Sequence, residues 1–167
     1  MNTPVAIIIG SDSDWPMVKK AFETLKAFEV GCDVQIMSAH RTPERVKEYV
    51  QETSVERGVK VFISAAGKAA HLPGVIAAHT LKPVIGLPVR GVVLDGMDAL
   101  FSIVQMPSGV PVAAVAIDGA ENAALLAVQI LALDSPELSE KLSRHRLHMA
   151  QSVAEKNTAL RDKLYEK

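Results

Sequence analysis

Short apolar runs that stop at small or polar residues, each followed by a segment of helical period, set the rhythm of this sequence. "VAIIIG" (5–10), "CDVQIM" (32–37), "KVFISAA" (60–66), "PVIGLP" (83–88) and "VAAVAI" (112–117) read as five strands. After the first, a helix begins near Ser13, with Met17, Val18, Ala21, Phe22, Leu25 and Phe28 on one face. Ser13 or Asp14 can cap it, and Pro16 is tolerated in a first turn. Thr42-Pro43 opens a second helix whose Val46, Tyr49, Val50 and Thr53 recur at helical spacing. Further helices are expected near 73–80, over 96–106 and over 120–133.

Strands that alternate with helices predict a parallel sheet with helices on both faces. Its strands are buried on both sides, which is why their apolar runs are continuous rather than alternating. The composition agrees: 49% of residues are hydrophobic but only 4% are aromatic, so the core is Ala, Val, Ile and Leu. Right-handed crossovers and five strands favour a flavodoxin-like order of 2-1-3-4-5 within a three-layer αβα sandwich. The 167 residues suit one domain, with an α/β core over 1–134 and a C-terminal helix over 135–167.

Several function classes fall away. A net charge of -1 gives no electrostatic footprint for nucleic acid or an anionic membrane. The most apolar stretch, "ENAALLAVQILAL", is short and carries Glu121, Asn122 and Gln129, so no membrane span is expected. The start, "MNTPVAIIIG", lacks a basic n-region and reads as a first strand rather than a signal peptide. Cys32 is the single cysteine, which excludes an internal disulfide and suits a reducing compartment, the cytoplasm. Two helices do not suit a monomer. The one over 120–133 is apolar nearly all round, and the tail carries Leu138, Leu142, Met149 and Val153 in a stripe. Both point to a homo-oligomer; the alternative for the tail is an exposed, frayed end.

Ligands of open parallel sheets bind beyond the carboxyl ends of the strands. That rule selects three loops: "GSDSDW", "SAHRTP" and "AAGKAAHLPG". In the first, Gly10 permits a tight turn, Ser11 and Ser13 offer hydroxyls, and a helix N-terminus suits a phosphate. Asp14 can accept from ribose hydroxyls, unless Ser13 and Asp14 merely cap the helix. In the second, Arg41 has the fork that fits phosphate oxygens, and His40 can exchange a proton near neutrality. Ser38 opens this loop. In the third, Gly67 and its small neighbours let the backbone approach a flat ligand, and its N–H groups could hold a carboxylate or carbon dioxide. His71 is a second titratable candidate there, or a residue that orients the loop. His79, His145 and His148 have no such setting. Neither a Rossmann fingerprint nor a Walker A loop is present, and no metal-ligand cluster is visible.

Together "GSDSDW", "SAHRTP", "AAHLPG", "SIVQMPSGVPV" and "NAALLA" resemble the PurE family of purine biosynthesis, the N5-carboxyaminoimidazole ribonucleotide mutases, over residues 5–133. The resemblance implies a three-layer α/β fold, a homo-octamer and active sites shared between subunits. It implies transfer of a carboxyl group from N5 to C4 of 5-aminoimidazole ribonucleotide with no metal, biotin or ATP, hence no cofactor. By motif position, Ser11, Asp14 and Arg41 would bind the nucleotide, and His40 would move the proton. One residue departs from the pattern: Lys68 stands where these mutases usually carry a second glycine. The related carboxylases, which use free carbon dioxide, tend to be basic there. They usually lack the histidine and replace the arginine of "AHR", whereas this chain keeps His71 and Arg41. The mutase is therefore the expected activity, with the carboxylase as the alternative. A non-catalytic flavodoxin-like nucleotide-binding module is the rival from another class, and it leaves His40 without a task.

Overall fold

The computed structural model describes residues 3–165. Chain contacts divide it into two compact units with the boundary between Ile130 and Leu131. The first is built on β1 (Val5–Ile9), β2 (Cys32–Ile36), β3 (Val61–Gly67), β4 (Val84–Val89) and β5 (Ala113–Ala114). All four pairings are parallel, and the strand order is 2-1-3-4-5, as the sequence predicts. Between the strands lie α1 (Trp15–Ala27), α2 (Pro43–Val55), α3 (Leu72–Ala77) and α4 (Met97–Val104), and α5 (Ala120–Ala132) follows β5.

The continuous apolar runs are buried as parallel strands require. Every residue of β1 and β4 is buried, and β3 is open only at Gly67. The expected face of α2 is inside: Val46, Tyr49, Val50 and Thr53 are all buried. On α1, Val18, Ala21, Leu25 and Phe28 are buried, while Met17 reaches solvent. Gly86 lets α4 lie against β4, since a Cβ there would meet Ile103 Cγ2 at 2.3 Å.

Two local expectations are corrected. β5 is two residues long rather than six. Pro88 of β4 has no N–H, so the rung it would give to the neighbouring strand is missing. The chain slips there, and Asp118 N–H reaches the Pro88 carbonyl at 2.9 Å. The entry to α1 is also different. A 3-10 turn over Asp12–Asp14 precedes it, and the cap of that turn is Ser11, whose Oγ accepts from Ser13 N–H at 3.3 Å. Asp14 makes no side-chain cap bond.

The second unit begins at Leu131 and is dominated by α6 (Pro136–Tyr165), one helix of 30 residues. At about 1.5 Å per residue the helix is roughly 45 Å long. None of its residues is buried, and Met149, Val153, Leu160 and Leu164 form an exposed apolar stripe. No helix among the described residues is long and apolar enough to cross a membrane.

Candidate active site

The carboxyl ends of β1, β2, β3 and β4 surround an open cleft of about 660 Å³. The three loops that the strand-end rule selects converge on it, and so do Arg90, Gly91 and Val92 after β4.

The "SAHRT" segment is a single closed turn. Thr42 N–H donates to the Ser38 carbonyl at 2.9 Å, and Thr42 Oγ1 accepts from Ser38 N–H at 3.0 Å. Ser38 Oγ in turn accepts from Arg41 N–H (3.2 Å) and Arg41 Nε (3.4 Å). Ser38 thus holds Arg41 in place, and His40 is carried at the apex. Arg41 also donates to the Gly10 carbonyl at 3.3 Å. Among the described residues it makes no ion pair, so a full cation stands at the cleft with only neutral partners. Such a guanidinium fits phosphate or carboxylate oxygens.

His40 and His71 come from loops 31 residues apart in sequence. Their rings meet edge-on, with His40 Nε2 and His71 Nδ1 2.9 Å apart. One nitrogen of the pair must donate and the other must offer a lone pair, so the two rings share one proton. His71 precedes α3, and its N–H donates to the Ala69 carbonyl at 2.8 Å. The sequence leaves open whether His71 orients its own loop; the contact with His40 makes it an orienter of that ring. Both rings are exposed, which leaves room for a substrate over them.

In the first loop Ser11, Ser13 and Asp14 line the cleft. Ser13 Oγ donates to Ser11 Oγ at 2.9 Å. Asp14 stands at the N-cap position of α1 but its carboxylate makes no cap bond, so helix capping does not explain it. Burial pushes the Asp14 pKa up, against hydrogen bonds from Ser13 and Ser11 and the nearby charge of Lys68, with Asp12 adding to the rise.

In the third loop Gly67 approaches β4 closely, since a Cβ would lie 3.2 Å from the Val89 carbonyl oxygen. Lys68 has φ +54°, a left-handed backbone that is uncommon for a lysine. It lines the cleft beside Asp14. The N–H groups of Ala70 and His71, offered by sequence to a carboxylate, are engaged by the Lys68 and Ala69 carbonyls instead.

The strand-end rule also applied to β4 and β5, and there a pair was missed. Arg90, immediately after β4, is gripped by Asp118, which follows β5. Its backbone N–H donates to Asp118 Oδ1 at 2.9 Å, and its Nε to Asp118 Oδ2 at 3.0 Å. Asp95 takes Nη1. Bonding to Asp95 and then Asp118 raises the guanidinium pKa above its ordinary value. Among the described residues, no group of three or more His, Cys, Asp or Glu is arranged to hold a metal ion. Cys32 lies away from the cleft, and burial pushes its thiol pKa up.

A parallel sheet with an imidazole pair and a free guanidinium at its carboxyl edge defines an α/β protein whose strand-end cleft has the chemistry to take a small anionic molecule. The family model described as AIR carboxylase matches residues 4–152, and the chain belongs to that family. It is 57% identical over 145 residues to an N5-carboxyaminoimidazole ribonucleotide mutase of Pyrococcus abyssi, covering 87% of this chain and 83% of that protein. It is 49% identical over 163 residues to a phosphoribosylaminoimidazole carboxylase of Candida glabrata, covering 98% of this chain but 28% of that longer protein. A solved structure of a substituted Treponema denticola PurE2 superposes with a TM-score of 0.87 at 30% identity, covering 93% of this chain and 96% of that one.

Proposed function

We propose that this chain catalyses the mutase reaction of its relatives in purine biosynthesis, moving the carboxyl group of N5-carboxyaminoimidazole ribonucleotide from N5 to C4. The observation that carries the reading is His40, in contact with His71, beside the unpaired Arg41 on the wall of one cleft. A binding module needs the cation but has no use for a proton-sharing imidazole pair.

The chemistry follows from these groups. The N5–carboxyl bond breaks, N5 takes a proton, and carbon dioxide is left beside aminoimidazole ribonucleotide. The enamine-like C4 attacks that carbon dioxide and becomes tetrahedral while still holding its own proton. A base removes it to restore aromaticity. The net change is one proton moved from C4 to N5, which a single imidazole can carry out by giving and then taking. His40 is that shuttle, and His71 orients it and shares its proton. Arg41, held by Ser38, anchors the phosphate with Ser11 and Ser13, and Asp14 accepts from the ribose. Gly67 and Lys68 border the reacting end.

The protein acts as a cytoplasmic homo-octamer in which the α/β core carries the chemistry and α6 packs on neighbouring subunits. Supporting this are the exposed stripe of α6 and the exposed Met97, Phe101 and Val104 at helical spacing on α4. An apolar stripe along an exposed helix face marks a contact surface. Light scattering at micromolar concentration should give the octamer, and truncation after Asp134 should loosen it; a monomeric full-length chain refutes the assembly.

Initial rates with the two possible substrates test the activity itself. Efficient use of N5-carboxyaminoimidazole ribonucleotide, with poor use of aminoimidazole ribonucleotide plus bicarbonate, is the mutase result. The reverse preference would assign the chain to the carboxylase branch, with Lys68 stabilising the new C4 carboxylate.

A further inference from the structure

The segment after β4 has no task in the reaction as derived above, yet it forms a wall of the cleft through Arg90, Gly91 and Val92. It is held in a costly shape. Leu94, Asp95 and Asp118 all have positive φ, between 52° and 56°, and none is glycine. Such backbone persists only where surrounding contacts over-determine it, and it concentrates at functional sites. The side-chain bonds of Asp95 and Asp118 meet at Arg90. Asp118 takes both its backbone N–H and its Nε, and Asp95 takes Nη1. The loop also closes on itself: at Gly96, with φ +89°, a Cβ would lie 3.3 Å from Arg90 Cα and 2.8 Å from Ile117 Cγ2.

Arg90 is not an anion anchor like Arg41, because one cation faces two carboxylates. Its role is to hold the chain. The sheet order fixes what that chain faces. Three strand spacings separate the end of β2, which carries Arg41, from the end of β4, about 14 Å in all. The cleft runs from Arg41 to Val92, so a nucleotide that lies along it with its phosphate at Arg41 brings its ring to the β4 side. There Val92 is fully exposed and apolar, a suitable surface for a flat heterocycle.

We infer that Asp118 and Asp95 are positioning residues for Arg90, and that this clamp fixes Gly91 and Val92 as the wall against which the heterocyclic end of the substrate rests. The inference rests on the mutase reading of the cleft. Contact with that wall exists in ground and transition states alike, so its loss acts on KM rather than kcat.

Steady-state kinetics with N5-carboxyaminoimidazole ribonucleotide test it on the full-length protein. Arg90→Ala, Asp118→Ala and the isosteric Asp118→Asn should each raise KM roughly fivefold to twentyfold while kcat changes less than about threefold. The double variant Arg90→Ala/Asp118→Ala should be no worse than the more severe single, because both act through one clamp. Arg90→Lys should fail to rescue, since an ammonium cannot bridge two carboxylates as the fork does. A KM within about twofold of wild type in the single variants, effects that multiply in the double, or rescue by lysine would each overturn the inference. Wild type without turnover refutes the mutase reading and the wall's substrate with it; wild type that turns over beside indifferent variants refutes the clamp alone.

Discussion

Arg41 and Arg57 lie at opposite ends of α2 and have opposite surroundings. Arg57 pairs with Glu52 and lies 3.9 Å from Asp33 Oδ2. Asp33 also accepts from Tyr49 O–H at 2.8 Å and from Gln35 Nε2 at 3.0 Å. Every charge there has a partner, and burial with the bond to Asp33 pushes the Tyr49 phenol well above its ordinary pKa. Arg41 has a hydroxyl, a carbonyl and an open cleft. The same residue type is thus closed within a network at one end of the helix and left available at the other. A satisfied polar cluster costs little and fixes structure; an unsatisfied cation facing a void is what a ligand completes.

Substitutions sharpen the contrast. Arg41→Ala should raise KM by about 10- to 100-fold with a smaller change in kcat, since a charge-assisted bond contributes about 1.5–3 kcal/mol. Unchanged substrate affinity would break the comparison from the cleft side. Tyr49→Phe should leave both constants alone and cost about 1 kcal/mol of stability, because Asp33 keeps its other partners. That is a fall of about 2–4 °C in melting temperature. A kinetic defect in Tyr49→Phe would break the comparison from the other side.

The smallest effect separates stability from function within the cleft. Asp14 has its pKa raised in the fold, so the folded state holds the proton more tightly than the unfolded one. Stability therefore falls as pH climbs from the ordinary value of 3.8 through the raised value, and the loss persists above it. Asp14→Asn should raise the melting temperature by less than about 4 °C at pH 7 and not at all below pH 3.8, while weakening substrate binding. Stabilisation of equal size at both pH values would remove the carboxylate charge as its cause.

The sheet was legible because the strands end at small or polar residues and the central ones, buried on both faces, are uninterrupted apolar runs; β2, at the sheet edge, carries Asp33 and Gln35 and is not buried. Strand order followed from connection rules. The truncated β5 was hidden because it depends on an N–H that Pro88, on another strand, does not have. Ser13 and Asp14 both looked like caps, and only the 3-10 turn shows that Ser11 takes that duty. The His40–His71 contact joins loops 31 residues apart, so no local pattern announces it. The Arg90–Asp118 pair had a signal that went unused: "LPVRG" and "AIDG" each place a charge directly after a strand, where ligand-binding loops of such sheets lie.

The proposed mechanism turns on His40 carrying the proton between C4 and N5. Turnover of N5-carboxyaminoimidazole ribonucleotide by His40→Asn, measured beside calorimetric binding of aminoimidazole ribonucleotide, tests it most directly. Asparagine keeps approximate size and polarity but cannot shuttle a proton, so kcat should fall by about 10²–10⁴-fold while binding stays within about threefold of wild type. Near wild-type turnover in the purified variant would contradict the account.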